Sequence, residues 1–223
     1  GSFTTLQPDG ARVWTLRKYA ARLNTDGSVD ASFNLDLSEQ AGNRVDSLRL
    51  QSDGRLLIGG AFTSLQPIGA TGRVTRRNFA RLLNTGQVDT AFDAAAGGST
   101  GAIVNALAVQ PDGRVIAAGS FSDLGGAKST NIARFRPEGT PDPDFSPVLT
   151  TDGPVNALVV RTAGAPVPTQ LGGFAWLNAN GTLRSGFAAA GARLSGEIVA
   201  VAIDREGRLL VGGSFANLNN ASG

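Results

Sequence analysis

The chain has 223 residues, 41% of them hydrophobic and only 17% charged, with 30 glycines, a balance that suits one turn-rich globular domain rather than a disordered chain. It contains no Cys, His or Met, which excludes disulfides, thiolate or imidazole metal ligands and every Ser/Cys–His nucleophile pair from this sequence. The formal net charge of +2 is too small to argue for nucleic acid, and no apolar run nears the roughly 18 residues of a membrane span.

From the N-terminus, Gly1, Ser2 and Phe3 precede a polar loop holding Arg12, Trp14, Arg17 and Lys18. ARLNTDGSVDASF (21–33) then reads as a short strand, a polar turn and a closing Phe. RVDSLRLQSDGRLLIGGAF (44–62) reads as a hairpin, two apolar strands joined at Asp53 and Gly54, because Asp-Gly supplies the local hydrogen bond and the positive φ that tight turns need. A loop with Arg73, Arg76 and Arg77 leads to ARLLNTGQVDTAF (80–92), a second copy of the short segment. The hairpin recurs as IVNALAVQPDGRVIAAGSF (103–121), a loop with Lys128 follows, and ARFRPEGTPDPDF (133–145) is the third short segment. PVNALVVRTAGAPVPTQLGG (154–173), AWLNANGTLRSGF (175–187) and EIVAVAIDREGRLLVGGSF (197–215) complete four copies of each type.

Phe33, Phe92, Phe145 and Phe187 lie 59, 53 and 42 residues apart, so the period shortens while both halves persist. In the hairpins Leu48 and Leu50, Leu107 and Val109, Leu158 and Val160, and Val201 and Ile203 share a strand face at period two. Second strands such as LLIGG and LLVGG are apolar on both faces, as in a sheet covered on both sides. Gly59, Gly60, Gly119, Gly212 and Gly213 let the strand bend or another backbone approach. An all-β unit of two hairpins, repeated four times, predicts a β-propeller, either of four blades or as a four-blade portion of a larger one. The domain is 1–223, with units near 1–33, 44–92, 103–145 and 154–187, the first completed by 197–223. The Gly-Ser-Phe of residues 1–3 recurs at 213–215, which leaves both ring sizes open.

The alternation of ARLNTDGSVDASF with a segment of the form V-x-x-L-x-L-Q-x-D-G-R-L-L-I-G-G-x-F resembles the delta-60 repeat, grouped with β-propeller domains of bacterial, often large and exported, proteins. The resemblance spans nearly the whole chain. It implies the propeller fold and an extracellular or cell-surface location, and no common activity or catalytic residue set. The third unit departs from the pattern: Ala163 and Gly164 replace Asp-Gly, and Pro166 and Pro168 enter the second strand, where proline favours an edge or a bulge.

Each candidate site competes with a scaffold role. Asp112 alone is an oxygen ligand for Ca²⁺, but such a site needs six to eight oxygens close together, and the equivalent positions hold Asp53, Ala163 and Glu206 while the glycine persists at 54, 113, 164 and 207. The demand is therefore on backbone geometry. Asp30, Asp89, and Asp142 with Asp144, precede the closing Phe, where the fourth unit has Arg184 and Ser185. These form a channel-facing carboxylate ring or accept bonds from turn N–H groups, and the second reading is favoured. Arg22, Arg81 and Arg134 recur where the fourth unit has Trp176, as stems packed between blades with guanidinium groups on turn carbonyls or on the recurrent Asp. Arg12, Arg17, Lys18, Arg73, Arg76, Arg77 and Lys128 fall in the loops between hairpins and predict a basic rim on one face, suited to an anionic glycan or an acidic protein. Trp14 and Trp176 break the repeat and are candidates for sugar stacking. The sequons at Asn180 and Asn220 carry little weight beside a bacterial resemblance.

No catalytic residue, metal or cofactor is expected. The function expected is a non-enzymatic module of a secreted or cell-surface protein, for assembly or for recognition of a protein or glycan through the inter-hairpin loops. The alternatives are a hydrolase or lyase using channel carboxylates with or without Ca²⁺, and a structural subunit of a filament or surface layer.

Overall fold

A computed structural model describes residues 1–7, 14–37, 42–67, 71–92, 101–127, 129–145, 153–160, 165–169, 173–177, 194–206 and 208–218. These residues are all-β, arranged as several small antiparallel sheets. The first long hairpin is β4 (Arg44–Leu50) with β5 (Leu56–Ala61), and β8 (Phe79–Leu82) adds to β5. The next unit repeats it with β9 (Ile103–Val109), β10 (Val115–Ser120) and β11 (Ile132–Phe135). β12 (Ala165–Thr169) pairs β13 (Gly173–Leu177), and β14 (Leu194–Ile203) pairs β15 (Leu209–Leu218).

The register repeats along with the sequence. Leu56 faces Leu82, Val115 faces Phe135 and Ala165 faces Leu177. Single bridges from Leu82 to Val88 and from Phe135 to Pro141 lie beyond the third strand of the two central units, where the fourth strand of a blade would run. Only such a bridge, Leu23 to Val29, marks the short segment of the first unit.

The Asp-Gly positions are hairpin turns. Gly54 and Gly113 both have φ of +83°, and the Asp53 and Asp112 carboxylates each accept the N–H of the following Arg55 or Arg114 at 3.0 Å. The later glycines bend the strand. The register shifts opposite Gly60, Gly119 and Gly213, and a Cβ at any of the three would run into a partner-strand carbonyl, that of Arg44, Ile103 or Glu197. Each bulge thus requires glycine.

Two expectations are corrected. The inter-hairpin segments are not plain loops, because β1 (Thr5–Leu6) pairs β2 (Thr15–Leu16), and β6 (Ser64–Pro67) pairs β7 (Val74–Thr75). The connector after Phe33 also forms β3 (Leu35–Leu37), which joins β6. Its Leu-Asp-Leu alternation buries Leu35 and Leu37 with Leu65, a period-two pattern too short to stand out in sequence. In the third hairpin, residues 154–160 form no strand although β12 and β13 pair. Pro166 and Pro168 in β12 lack N–H groups, so this strand supports one ladder and not two.

The core lies between units. Phe33, Val45, Ile58 and Leu82 share one cluster, Leu57, Phe79, Phe92, Leu107 and Phe135 a second, and Ile116, Ile132, Phe145 and Leu158 a third. Phe33, Phe92 and Phe145 are therefore inter-unit packing, as their recurrence predicts.

Candidate functional site

The recurrent Asp, Arg and Phe form one constellation three times. In each copy the Asp backbone N–H donates to the Arg carbonyl at 2.9 Å. One carboxylate oxygen accepts the N–H two residues on: Ser32 at 2.8 Å, Ala91 at 3.0 Å, Asp144 at 3.1 Å. The other accepts the Arg Nε: Arg22 to Asp30 at 2.7 Å, Arg81 to Asp89 and Arg134 to Asp142 at 2.8 Å. The guanidinium then lies over the closing ring, 5.3 Å from Phe33, 4.4 Å from Phe92 and 4.8 Å from Phe145, within cation–π range.

The arginine also reaches the next unit. Arg22 Nη1 donates to the Asn84 carbonyl and Arg81 Nη1 to the Pro137 carbonyl, both at 2.6 Å. These are equivalent turn positions one unit further on, so the planar fork clamps Asp, ring and neighbour at once. The turn arginines contribute too, with Arg55 3.7 Å from Asp89 and Arg114 3.0 Å from Asp142, both as ion pairs. Asp30 accepts Ser32 Oγ, the Ser32 N–H and Arg22, and these bonds hold its carboxyl down to about 2. Burial pushes the Asp142 carboxyl up, but the Asp144 N–H and the Arg134 and Arg114 charges outweigh it, so its pKa is lowered.

A second recurrent clamp escaped the sequence reading. Tyr19, Asn78 and Asn131 have φ of 69°, 65° and 62°, and each donates its N–H to the Phe that ends the preceding hairpin or its equivalent, Phe3, Phe62 or Phe121. Asn78 Nδ2 donates to Gly60 at 3.1 Å and to the Ala102 carbonyl, just before β9, at 2.6 Å. Asn131 Nδ2 donates to the Gly153 carbonyl at 2.8 Å. Asparagine tolerates this left-handed backbone and staples each unit to the next. The signal was present as NFARL and NIARF, which place Asn three residues before the recurrent Arg.

One cavity of about 340 Å³ is lined by Asp46 to Arg49, Asn105 and Ala106, Asn156 to Leu158, and Val199 to Val201. These are matching positions of the first strand, or its unpaired counterpart, in all four units. Asn105 Nδ2 donates to Asn156 Oδ1 at 2.8 Å, and Asn156 Nδ2 donates to Glu197 Oε1 at 2.7 Å. Asp46 is held by Arg44 Nε at 2.8 Å. The recurrent Asp30, Asp89 and Asp142 are absent from this lining; their carboxylates serve the turns.

The structure only partly assembles the basic rim. Lys18 Nζ and Arg73 Nη2 converge on Asp36 Oδ2 at 3.6 and 3.8 Å, and Arg77 is exposed. Arg76 is half-buried, its Nη1 donating to the Thr75 carbonyl at 2.8 Å. Arg17 does not belong to a rim. It is buried, with Nη1 on the Leu16 carbonyl at 2.7 Å and Nη2 on the Asp30 carbonyl at 3.4 Å. Trp14 is exposed beside β2. Trp176 lies in β13, its side chain outside the described residues, as are Arg12, Lys128, Arg184, Ser185, Phe187 and both sequons.

Repeated antiparallel units, clamped to one another in sequence and sharing a cavity lined by their matching strands, are what a propeller-type repeat protein is built from. Segments 9–33, 51–92 and 110–145 match the family model described as a β-propeller domain of unknown function (DUF5122), which supports a propeller repeat family. The curated proteins contain no match to the chain.

Proposed function

We propose that the chain is a non-enzymatic β-propeller module of a secreted or cell-surface protein, its four units arranged as blades about the polar cavity, acting in assembly or recognition. The observation that carries this reading is the use of the recurrent charges. Three Asp–Arg pairs are spent on turns and rings, and two of them also on the neighbouring unit, whereas the segments between hairpins differ from unit to unit, and variable loops on a rigid scaffold are where binding is placed.

Lys18, Arg73 and Arg77 on that side favour an anionic glycan or an acidic protein surface. Calorimetric titration with a uronic-acid polysaccharide, against neutral dextran, tests the glycan arm. Salt-sensitive binding is expected, weakened about tenfold by replacing Lys18, Arg73 and Arg77 together with Ala; no binding to the polyanion would remove this arm. The placement outside the cell is supported by the resemblance to exported bacterial proteins. A hydrolase or lyase reading would rest on Asp46, the carboxylate in the cavity lining, which Arg44 holds ion-paired. A glycan-cleavage screen of the chain against its Asp46→Asn variant tests it.

A further inference from the structure

We propose that the polar cavity binds one neutral sugar residue, held by Asp46, Asn105 and Arg49. The side chains that reach this cavity are aimed there by the bulges. Where the register shifts opposite Gly60, Gly119 and Gly213, the extra residue left without a ladder partner is Asp46, Asn105 and Val199 in turn. All three line the cavity, and Asn156 lines it from the matching position of the third unit. A β-bulge re-aims the side chain of its extra residue, and bulges are over-represented beside active sites. The preceding residues, Val45, Val104, Val155 and Ile198, are buried in every unit, so core packing is served by them and not by the polar side chains.

The hydrogen bonds of this polar row run one way and then stop. Asn105 Nδ2 donates to Asn156 Oδ1 and Asn156 Nδ2 to Glu197 Oε1, so the amide donors are spent toward Glu197. Asn105 Nδ2 also reaches the Val155 carbonyl at 3.5 Å. What Asn105 has left is Oδ1, an acceptor. Asp46, at the matching position of the preceding unit, is an acceptor too, and among the described residues only Arg44 Nε donates to it. Two acceptors lining one cavity call for donors from whatever occupies it. Arg49 supplies the opposite chemistry: its Nη1 donates to the Leu48 carbonyl at 2.8 Å, and the rest of the guanidinium has no other partner among the described residues.

The occupant must therefore donate to Asp46 and Asn105 and accept from Arg49. A hydroxyl does both. A cation is disfavoured because Arg44 already neutralises Asp46 and Arg49 shares the lining, and an anion is disfavoured by Asp46 itself. Leu158, Val199 and Val201 give the cavity an aliphatic side for the C–H face of a ring. Its volume of about 340 Å³ lies at the small end of the roughly 300–1,000 Å³ usual for ligand sites, which suits one sugar residue and not a chain. Leu48 and Val199 in the lining are 44% and 57% exposed, so the cavity opens to solvent and admits a free sugar or a terminal residue.

Saturation-transfer NMR and calorimetry of the chain with D-glucose, D-galactose, D-mannose and N-acetyl-D-glucosamine test the proposal. At least one is expected to bind with millimolar affinity and with little dependence on salt. Asp46→Asn supplies the donor that Asn105 Oδ1 lacks, as Asn105 does for Asn156, and is expected to weaken that sugar about tenfold or more. Arg49→Leu, at an exposed position, is expected to weaken it about threefold to tenfold; folding of both variants is checked by circular dichroism. Replacing Lys18, Arg73 and Arg77 with Ala is expected to leave the affinity unchanged, which separates the cavity from the polyanion surface. Failure of all four sugars to bind, or binding that survives both Asp46→Asn and Arg49→Leu, would overturn the proposal. Binding of methylammonium in place of a sugar would overturn the neutral class of ligand. None of these outcomes touches the loop reading, which is read from salt-sensitive binding of the polyanion.

Discussion

At the junction of the second and third units, Arg81 and Asp89 are 5% and 7% exposed; at the junction of the first and second, Arg22 and Asp30 are 41% and 19% exposed. The bonds within the two pairs are nearly the same, as are the bonds to the next unit's turn. What differs is the flank. Asp89 has Arg55 beside it and a complete hairpin over it, whereas Asp30 has Ser32 and, among the described residues, no hairpin paired to its short strand. The local code therefore sets the clamp, and the neighbouring hairpin sets its burial and so its energetic weight.

The buried junction should break hardest at its aromatic centre. Phe92 is fully buried and meets Phe79 edge-on at 5.3 Å, so Phe92→Ala is expected to cost about 3–5 kcal/mol in urea unfolding. Next, Arg134→Ala leaves Asp142, whose side chain is fully buried, short of its main counter-charge, with an expected loss of about 3 kcal/mol. The matched Arg22→Ala, at the open junction, should cost less than about 1 kcal/mol. Equal losses for the two arginines would show that flanking burial is not what separates the junctions.

Asn78→Ala removes two bonds to buried carbonyls and places Ala at positive φ, for an expected loss of about 2–3 kcal/mol. Asn78→Gly should recover only the backbone part. Comparing the two by thermal unfolding separates the staple from the turn.

The smallest effect is on acid stability. The Asp30 carboxyl sits at about 2 in the folded chain, below the roughly 3.9 of an unfolded Asp, so the folded state binds this proton more weakly. Its contribution is complete above about pH 4 and is lost as pH falls from there through about 2. Asp142 is shifted in the same direction. Asp30→Asn should flatten the acid limb of a stability–pH profile slightly and lower neutral stability by the same small amount, well below the loss from Arg134→Ala.

Three of the four hairpins, the Asp-Gly turns and the inter-unit position of Phe33, Phe92 and Phe145 were legible because each rests on nearest-neighbour chemistry: period-two apolar faces, a glycine at positive φ, a ring every unit. The pairing of Arg22, Arg81 and Arg134 with the Asp eight residues on was legible too, since both recur together. β1, β3 and β7 were not, because strands of two or three residues carry too little pattern to distinguish from loop. The basic rim was over-read at Arg17, because a guanidinium on a short loop finds the nearest carbonyls when a sheet closes over it. Asn78 and Asn131 passed unnoticed because their acceptors lie in the next unit.

By itself, the sequence determined the repeat, its strand order and the residues that clamp it, since these follow from local backbone preference and alternation. The tertiary structure alone decided which copies of the clamp are buried, that matching strands of four units line one polar cavity, and that Leu23 and Leu210 stand open where their counterparts are covered. Burial depends on what packs from outside the unit, and no residue carries that information in its own neighbourhood.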